Sequence, residues 1–202
     1  MKVALVGASG KVGTRLVKEL TDRGHSITAI ARNPEKIPAA PNTTPKKGDI
    51  ANRDELAALL KGHDAVISSV RFLGLDVEAL IKAVLASGVK RFLVVGGASS
   101  LEVAPGKILF DTPNFPEVAK PEAGAGIVFL DRLRQEKELD WTFLSPSALF
   151  VPGERTGQFR VGKDQLLTSE KGSTISFEDY SIAMVDELEK PKHSGQRFTV
   201  GY

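Results

Sequence analysis

Three glycines, Gly7, Gly10 and Gly13, recur every third residue in the stretch "VALVGASGKVGTRLVKEL". A short apolar run enters this turn and a helical pattern leaves it. Glycines in such a turn let the main chain approach a phosphate closely, and free N–H groups at the positive end of the following helix meet its charge. A third glycine lets helix and strand pack tightly. The spacing differs from the standard dinucleotide fingerprint, so its weight comes from its place in the first strand–turn–helix unit. On that ground Gly7, Ser9, Gly10, Lys11, Val12 and Gly13 are expected to hold a dinucleotide pyrophosphate.

The second apolar run ends in "TAIARNPEK". An NAD site usually places Asp or Glu at this point to accept a hydrogen bond from the ribose 2′-OH; here Arg32 stands instead. A guanidinium suits a phosphate dianion, and Lys11 offers a second cation from the glycine loop. The competing reading makes Arg32 a solvated charge or a stacking partner for adenine. NADP is the expected cofactor, with NAD as the alternative.

The elements that must position these residues follow from hydrophobic period. Buried parallel strands are expected at "VALV", at "SITAI" ending at Ile30, around Val66, at "RFLVV" ending at Val95 and at "DWTFL" ending at Leu144. Between them lie helices: Val12, Leu16, Val17 and Leu20 share one face before Gly24; Leu56, Leu59 and Leu60 follow a capping Asn52; Val77, Leu80, Ile81 and Val84 precede Gly88. The proline-rich "NPEKIPAAPNTTP" allows a helical turn at most. Residues 96–126 show no sustained period, and so long a loop in a compact domain is usually functional or mobile. A further helix spans about Ala123 to Leu139. "GERTGQFRVGKDQLL" is an irregular or hairpin-like excursion, Ser176 and Asp179 form a capping-box arrangement before an amphipathic helix, and "QRFTVGY" is an edge strand. Alternating strands and helices make an α/β fold of Rossmann type. We expect a doubly wound parallel sheet of order 3-2-1-4-5-6 with a small C-terminal substrate cap. One domain fills residues 1–202, with 1–145 as the cofactor-binding core and 146–202 as the cap with the last helix and strand.

Composition narrows the chemistry. The 27 Lys and Arg against 25 acids give a scattered net charge of +2, which suggests no nucleic-acid partner. The N-terminal apolar run is too short for a signal peptide or a membrane span, so a cytoplasmic protein is expected, a monomer or small homo-oligomer acting on a small planar substrate. There is no cysteine. Disulfides, thiolate nucleophiles and Cys-ligated metal are thereby excluded, and no metal site is expected.

The combination of "GASGKVG", "ARNPEK" and "KGDI", with the later "DWTFLSPSALF", "GERTG" and "FEDYSIAMVDELE", resembles the atypical short-chain dehydrogenase/reductase family. The likeness is to its NAD(P)-binding branch, which holds NADH-flavin reductases, biliverdin-IXβ reductase-like proteins and NmrA-like redox sensors, and it covers nearly the whole chain. The resemblance implies that Asp49 and Ile50 flank the adenine. It implies that Ser68, Ser69 and Val70 pass behind the ribose and nicotinamide, and that "GGAS" with Gly97 and Ser99 and "SPSA" with Ser147 border the nicotinamide and substrate. Capping of strand ends is the other reading of Ser68, Ser69 and Ser99.

Most short-chain dehydrogenases move a proton with a Tyr-x-x-x-Lys pair on the helix after the fifth strand. That helix, "AGAGIVFLDRLRQEKEL", holds no tyrosine; Tyr180 is followed four residues on by Met184, and Tyr202 is the last residue. His25, His63 and His193 lie in turns and read as solvated. An acceptor that needs no positioned acid fits such a site, and a flavin does, because solvent can protonate the reduced ring. FMN or another flavin is therefore expected as substrate rather than prosthetic group, held by orientation, with Ser99 and Ser147 as candidate catalytic residues and Phe110, Phe115 and Phe150 as candidate walls. A non-catalytic NADP(H) sensor and an epimerase-like enzyme are the other function classes.

Overall fold

The computed structural model describes every residue, Met1–Tyr202. Its strands are β1 (Lys2–Val6), β2 (Ser26–Ala31), β3 (Thr43–Lys47), β4 (Ala65–Ser68), β5 (Arg91–Val95), β6 (Glu102–Ala104), β7 (Lys107–Ile108), β8 (Asp140–Ser145), β9 (Leu149–Val151), β10 (Arg160–Gly162), β11 (Thr174–Ser176) and β12 (Gln196–Gly201). Five α-helices intervene: α1 (Lys11–Asp22), α2 (Arg53–Leu60), α3 (Val77–Ser87), α4 (Lys120–Arg134) and α5 (Phe177–Glu189). Eight strands form one sheet of order β10-β12-β8-β5-β4-β1-β2-β3, parallel throughout except for β10. The expected order holds over β3-β2-β1-β4-β5-β8 and continues by two more strands.

Side chains alternate across this sheet, and each face buries its own core. Val3 and Leu5 of β1 join Leu16, Val17 and Leu20 of α1 and Tyr180, Met184 and Val185 of α5. Ala4 and Val6 join Leu56 and Leu60 of α2, Leu80 and Val84 of α3, and Phe129 and Leu130 of α4. Because both faces are covered, the central strands read as continuous apolar runs. Local signals set the helix ends. The Asp76 carboxylate accepts from the Ala79 N–H at 2.9 Å to start α3, and the left-handed Gly88 (φ 80°) ends it.

Several expectations change. The strand β12 is not an edge: it lies between β8 and the antiparallel β10, which comes from the "GERTGQFRVGKDQLL" excursion. Residues 146–202 therefore extend the sheet and supply α5 to one helical layer; the short β9·β11 pair and residues 152–158 are the part set apart from the sheet. The edge strand β3 runs through the proline-rich stretch, and Pro45 is tolerated there because an edge residue need not donate. Helix α4 begins at Lys120, with Pro121 in its first turn, and stops at Arg134. The region 96–126 folds into the β6·β7 hairpin, short 3₁₀ turns and the start of α4. The histidines are hydrogen-bonded into the fold, His25 buried and His63 and His193 half-buried. His25 is buried with Nε2 2.9 Å from Glu189, His63 Nε2 meets the Thr28 hydroxyl at 2.7 Å, and His193 Nδ1 meets Glu187 at 2.8 Å. No helix is long and apolar enough to cross a membrane.

Candidate functional site

All the candidate residues of the first, second and fourth strands meet at the carboxyl ends of the sheet. The Gly7 and Ala8 N–H groups donate to the Ile30 carbonyl at 2.9 and 3.1 Å, which fixes the glycine loop against the end of β2. Gly7 is left-handed (φ 85°), and a Cβ there would stand 2.3 Å from the Ser69 carbonyl oxygen. A Cβ on Gly13 would stand 2.2 Å from the Gly7 carbonyl oxygen. These two glycines let loop, helix and the turn after β4 pack together. Gly10 differs: its Cβ would meet the Gly7 oxygen at 3.3 Å and little else. It is the N-cap of α1 and has no side chain to cap the helix.

Of the five α-helices, α1 alone has neither a side-chain cap nor an acid in its first turn. The N–H groups of Lys11, Val12 and Gly13 have no intrahelical acceptor, since the first turn of any helix lacks one. A positive helix end beside a cradle without side chains fits a pyrophosphate. Ser9 is half-buried in the same loop.

Toward the adenine end, Arg32 follows β2 directly and is exposed, as is Lys11. Neither joins any of the protein's ion pairs. Asp49 turns the chain from β3 into α2, its carboxylate accepting from the Ala51 N–H at 3.0 Å, and Ile50 packs on the core beside it. Gly48, inside "KGDI", has a packing role that only the fold reveals. A Cβ there would collide with Ile30 at 2.7 Å and Leu59 at 2.9 Å, so it lets this turn close onto β2.

At the other end, Ser69 donates its N–H to the Val6 carbonyl at 2.8 Å, and Val70 lies against Gly7. The Ser68 hydroxyl is buried without a hydrogen-bond partner. Gly96 and Gly97 continue β5; a Cβ on Gly96 would strike the Phe143 ring at 2.3 Å. The two serines expected to act on substrate lie just past the ends of β5 and β8. Ser99 is buried and donates to the Ala123 carbonyl of α4 at 3.1 Å, and Ser147 is buried and donates to the Val200 carbonyl of β12 at 3.0 Å. Both hydroxyls are bonded to the main chain, and through these bonds the two residues tie the strand ends to α4 and β12. Tyr180 is sealed too: its hydroxyl donates to the Leu144 carbonyl at 2.6 Å and accepts from the Gly96 N–H at 3.2 Å. Burial pushes its pKa far above the ordinary phenol range, so it gives no proton to a substrate.

Early in α4 stand Ala123, whose carbonyl takes the Ser99 hydroxyl, and the glycines Gly124 and Gly126. A Cβ on Gly126 would meet the Phe72 ring at 2.8 Å, so an aromatic ring fills the space beside the helix. Glu122 holds that ring's backbone, accepting from the N–H groups of Phe72 and Leu73 at 2.8 and 2.9 Å. Phe110 and Phe115 pack on each other with centroids 5.3 Å apart, while Phe150 packs on Phe177 and Tyr180, 4.6 Å from each.

A family model described as NAD(P)H-binding matches residues 7–191. The chain belongs to the NAD(P)H-binding family. A protein of this type from Bacillus subtilis, the uncharacterized YwnB, is 43% identical over 99% of this chain and 98% of its own. A Bacteroides thetaiotaomicron structure provisionally named an epimerase is 45% identical, covers 100% of this chain and 96% of that one, and superposes with a TM-score of 0.93. A Streptococcus pneumoniae structure provisionally named an NADH-flavin reductase is 39% identical, covers 100% and 99% of the two chains, and has a TM-score of 0.83.

In this NAD(P)H-binding protein the "GERTG" segment is an exposed strap stitched across α1 and α5. The Gly153 N–H donates to Glu178, Arg155 pairs with Glu19 at 2.8 Å, and the N–H groups of Thr156 and Gly157 donate to Asp179 at 2.8 Å each. Glu178 also takes Arg15, and Glu19 takes Arg23. Burial alone would raise both glutamates; hydrogen bonds from Arg155 and Arg23 on Glu19, and from Arg15 and Gly153 on Glu178, outweigh it and hold both below the usual carboxylate range. A lowered folded-state pKa stabilises the fold above the unfolded value of about 4.3 and loses that contribution as pH falls through the folded value. Thermal midpoints are therefore expected to change little from pH 7 to 5 and to fall steeply below about 4. Glu19→Gln should flatten the acid limb; an unchanged limb would show that these pairs do not set it. A cavity of about 550 Å³ lies elsewhere, between α5 and β12, lined by Phe159, Val161, Phe198 and charged residues including Arg23 and Lys192. It shares no residue with the glycine loop.

Proposed function

We propose that this protein is a cytoplasmic NADPH-dependent reductase that passes hydride to a free flavin, FMN or riboflavin, with biliverdin-like tetrapyrroles and quinones as further acceptors. The uncapped, acid-free start of α1 beside the glycine cradle carries the reading. It leaves a positive helix end for the pyrophosphate, with no side-chain cap and no first-turn acid to offset it. The free cations Arg32 and Lys11 support NADPH over NADH. When bound, NADPH supplies the hydride. The chain's part is to hold the two rings in register: the Tyr180 hydroxyl is sealed between main-chain groups and α4 carries no tyrosine. The relative named for NADH-flavin reduction agrees with this chemistry. Two relatives carry an epimerase name, but epimerisation needs an acid or base beside the substrate, and α4 has no tyrosine for the Tyr-x-x-x-Lys pair.

Two measurements test the reading. Arg32→Ala should weaken NADPH by about 1 to 3 kcal/mol, or roughly 5- to 150-fold, and leave NADH nearly unchanged in a binding titration. Equal losses for both cofactors would show that Arg32 does not read the 2′-phosphate. Against a panel of acceptors, flavins, biliverdin and quinones should be reduced and small aldehydes should not. Tight NADPH binding with no acceptor reduced would make the protein a redox sensor.

A further inference from the structure

We infer that Arg197 is a positioning residue for the acceptor: it clamps the turn from which the acceptor-side flank hangs. The inference rests on the reductase reading and deepens it. Arg197 stands on β12, and its side chain is only 3% exposed. Its guanidinium joins three segments that are distant in sequence. Nε and Nη2 donate to the Asp164 carboxylate at 2.9 and 2.6 Å; Nη1 donates to the Ser100 hydroxyl at 3.1 Å and reaches the Ser145 hydroxyl at 3.5 Å; Nη2 reaches the Ser100 carbonyl at 3.4 Å. Ser145 ends β8 and Asp164 follows β10, while Ser100 sits in the turn after β5 that carries Gly97 and Ser99.

That turn supports the flank through its main chain. The Leu101 carbonyl accepts from the Leu109 N–H at 2.8 Å, and the Ser99 carbonyl accepts from the Phe110 N–H at 2.9 Å. The chain around Asp164 braces the same hairpin, for the Asp164 carbonyl accepts from the Glu102 N–H and the Glu102 carbonyl from the Leu166 N–H, both at 2.8 Å. Phe110 and its neighbour Phe115 thus hang from a turn that the Arg197 guanidinium, reaching in from β12, holds through Ser100. A planar fork with five donors can fix the hydroxyl, carbonyl and carboxylate of three segments at once, which a lysine cannot do. The clamp lies on the acceptor side of the strand ends and touches none of the residues that cradle the pyrophosphate.

The test compares the wild type with Arg197→Met and with Asp164→Ala, the second because Asp164 is half-exposed and its truncation opens no cavity in the apolar core. Both variants should raise the acceptor KM for FMN at least about tenfold while the Kd for NADPH stays within about twofold, because only one of the two sites is loosened. Amide exchange at Leu109 and Phe110 should quicken in parallel, whereas Arg197→Lys should restore stability more than it restores KM. Unchanged exchange at these amides overturns the clamp whether or not the protein reduces FMN. Faster exchange with an unchanged KM overturns the positioning role, as does an equal loss of NADPH affinity. If the wild type reduces no acceptor, the reductase reading fails and this inference falls with it.

Discussion

Replacing Gly10 by valine is expected to remove measurable NADPH binding while the protein keeps a cooperative melting transition near that of the wild type. The contrast among the three glycines is the reason. A Cβ on Gly7 or Gly13 would stand 2.3 or 2.2 Å from a backbone oxygen, so substitution there deforms the loop itself and confounds folding with binding. At Gly10 the nearest atom is 3.3 Å away and φ is −74°, which any residue adopts. A valine fits the fold with a small shift, and its branches occupy the approach to the α1 N–H groups. Loss of the pyrophosphate contacts should weaken NADPH at least about 100-fold, or about 2.7 kcal/mol, in a fluorescence titration. Wild-type affinity in a folded Gly10→Val would place the phosphates elsewhere.

Removing the Asp179 carboxylate should produce the largest loss of stability outside the apolar core. Asp179 is fully buried and accepts from the N–H groups of Thr156 and Gly157, from the Thr156 hydroxyl and from the Tyr202 hydroxyl. Asp179→Ala breaks the strap and the C-terminus away together and leaves donors without an acceptor, at a cost of roughly 2 to 4 kcal/mol. For a chain of this size that is a fall of roughly 5 to 15 °C in the thermal midpoint. Amide exchange across residues 153–157 should quicken in the same variant. A midpoint within 1 °C of wild type, with the strap still protected, would show that Asp179 does not hold it.

The glycine loop could be read from the sequence because close backbone approach admits one residue type, and the structure shows what each missing Cβ would strike. The helices around Leu16, Leu56 and Leu80 were legible because one face of each is buried at helical spacing. Most of the differences between sequence and fold share a cause: a partner far along the chain. The polar Arg197 and Thr199 alternate with Phe198 and Val200, which reads as the half-solvated pattern of an edge. In the fold that polar face is covered, with Arg197 on Ser100 and Asp164 and Thr199 donating to the Ser145 carbonyl. His25 and His193 look like turn residues, yet α5 brings Glu189 and Glu187 to them. Pro121 reads as loop, although the first turn of a helix accepts proline. Ser99 and Ser147 carry the hydroxyls that catalysis could use, and only the fold reveals that both are bonded to the main chain.

The central claim is that the strand ends hold NADPH and a planar acceptor in register without a proton relay. Anaerobic mixing of the protein and NADPH with FMN tests it most directly, with nicotinamide and flavin absorbance followed together. Both signals should fall with equal stoichiometry, well above the uncatalysed rate, and the rate should show a primary isotope effect from NADPH deuterated at the transferred position, with little dependence on pH between about 6 and 8. Tight NADPH binding with FMN absorbance falling no faster than in the absence of protein would contradict it.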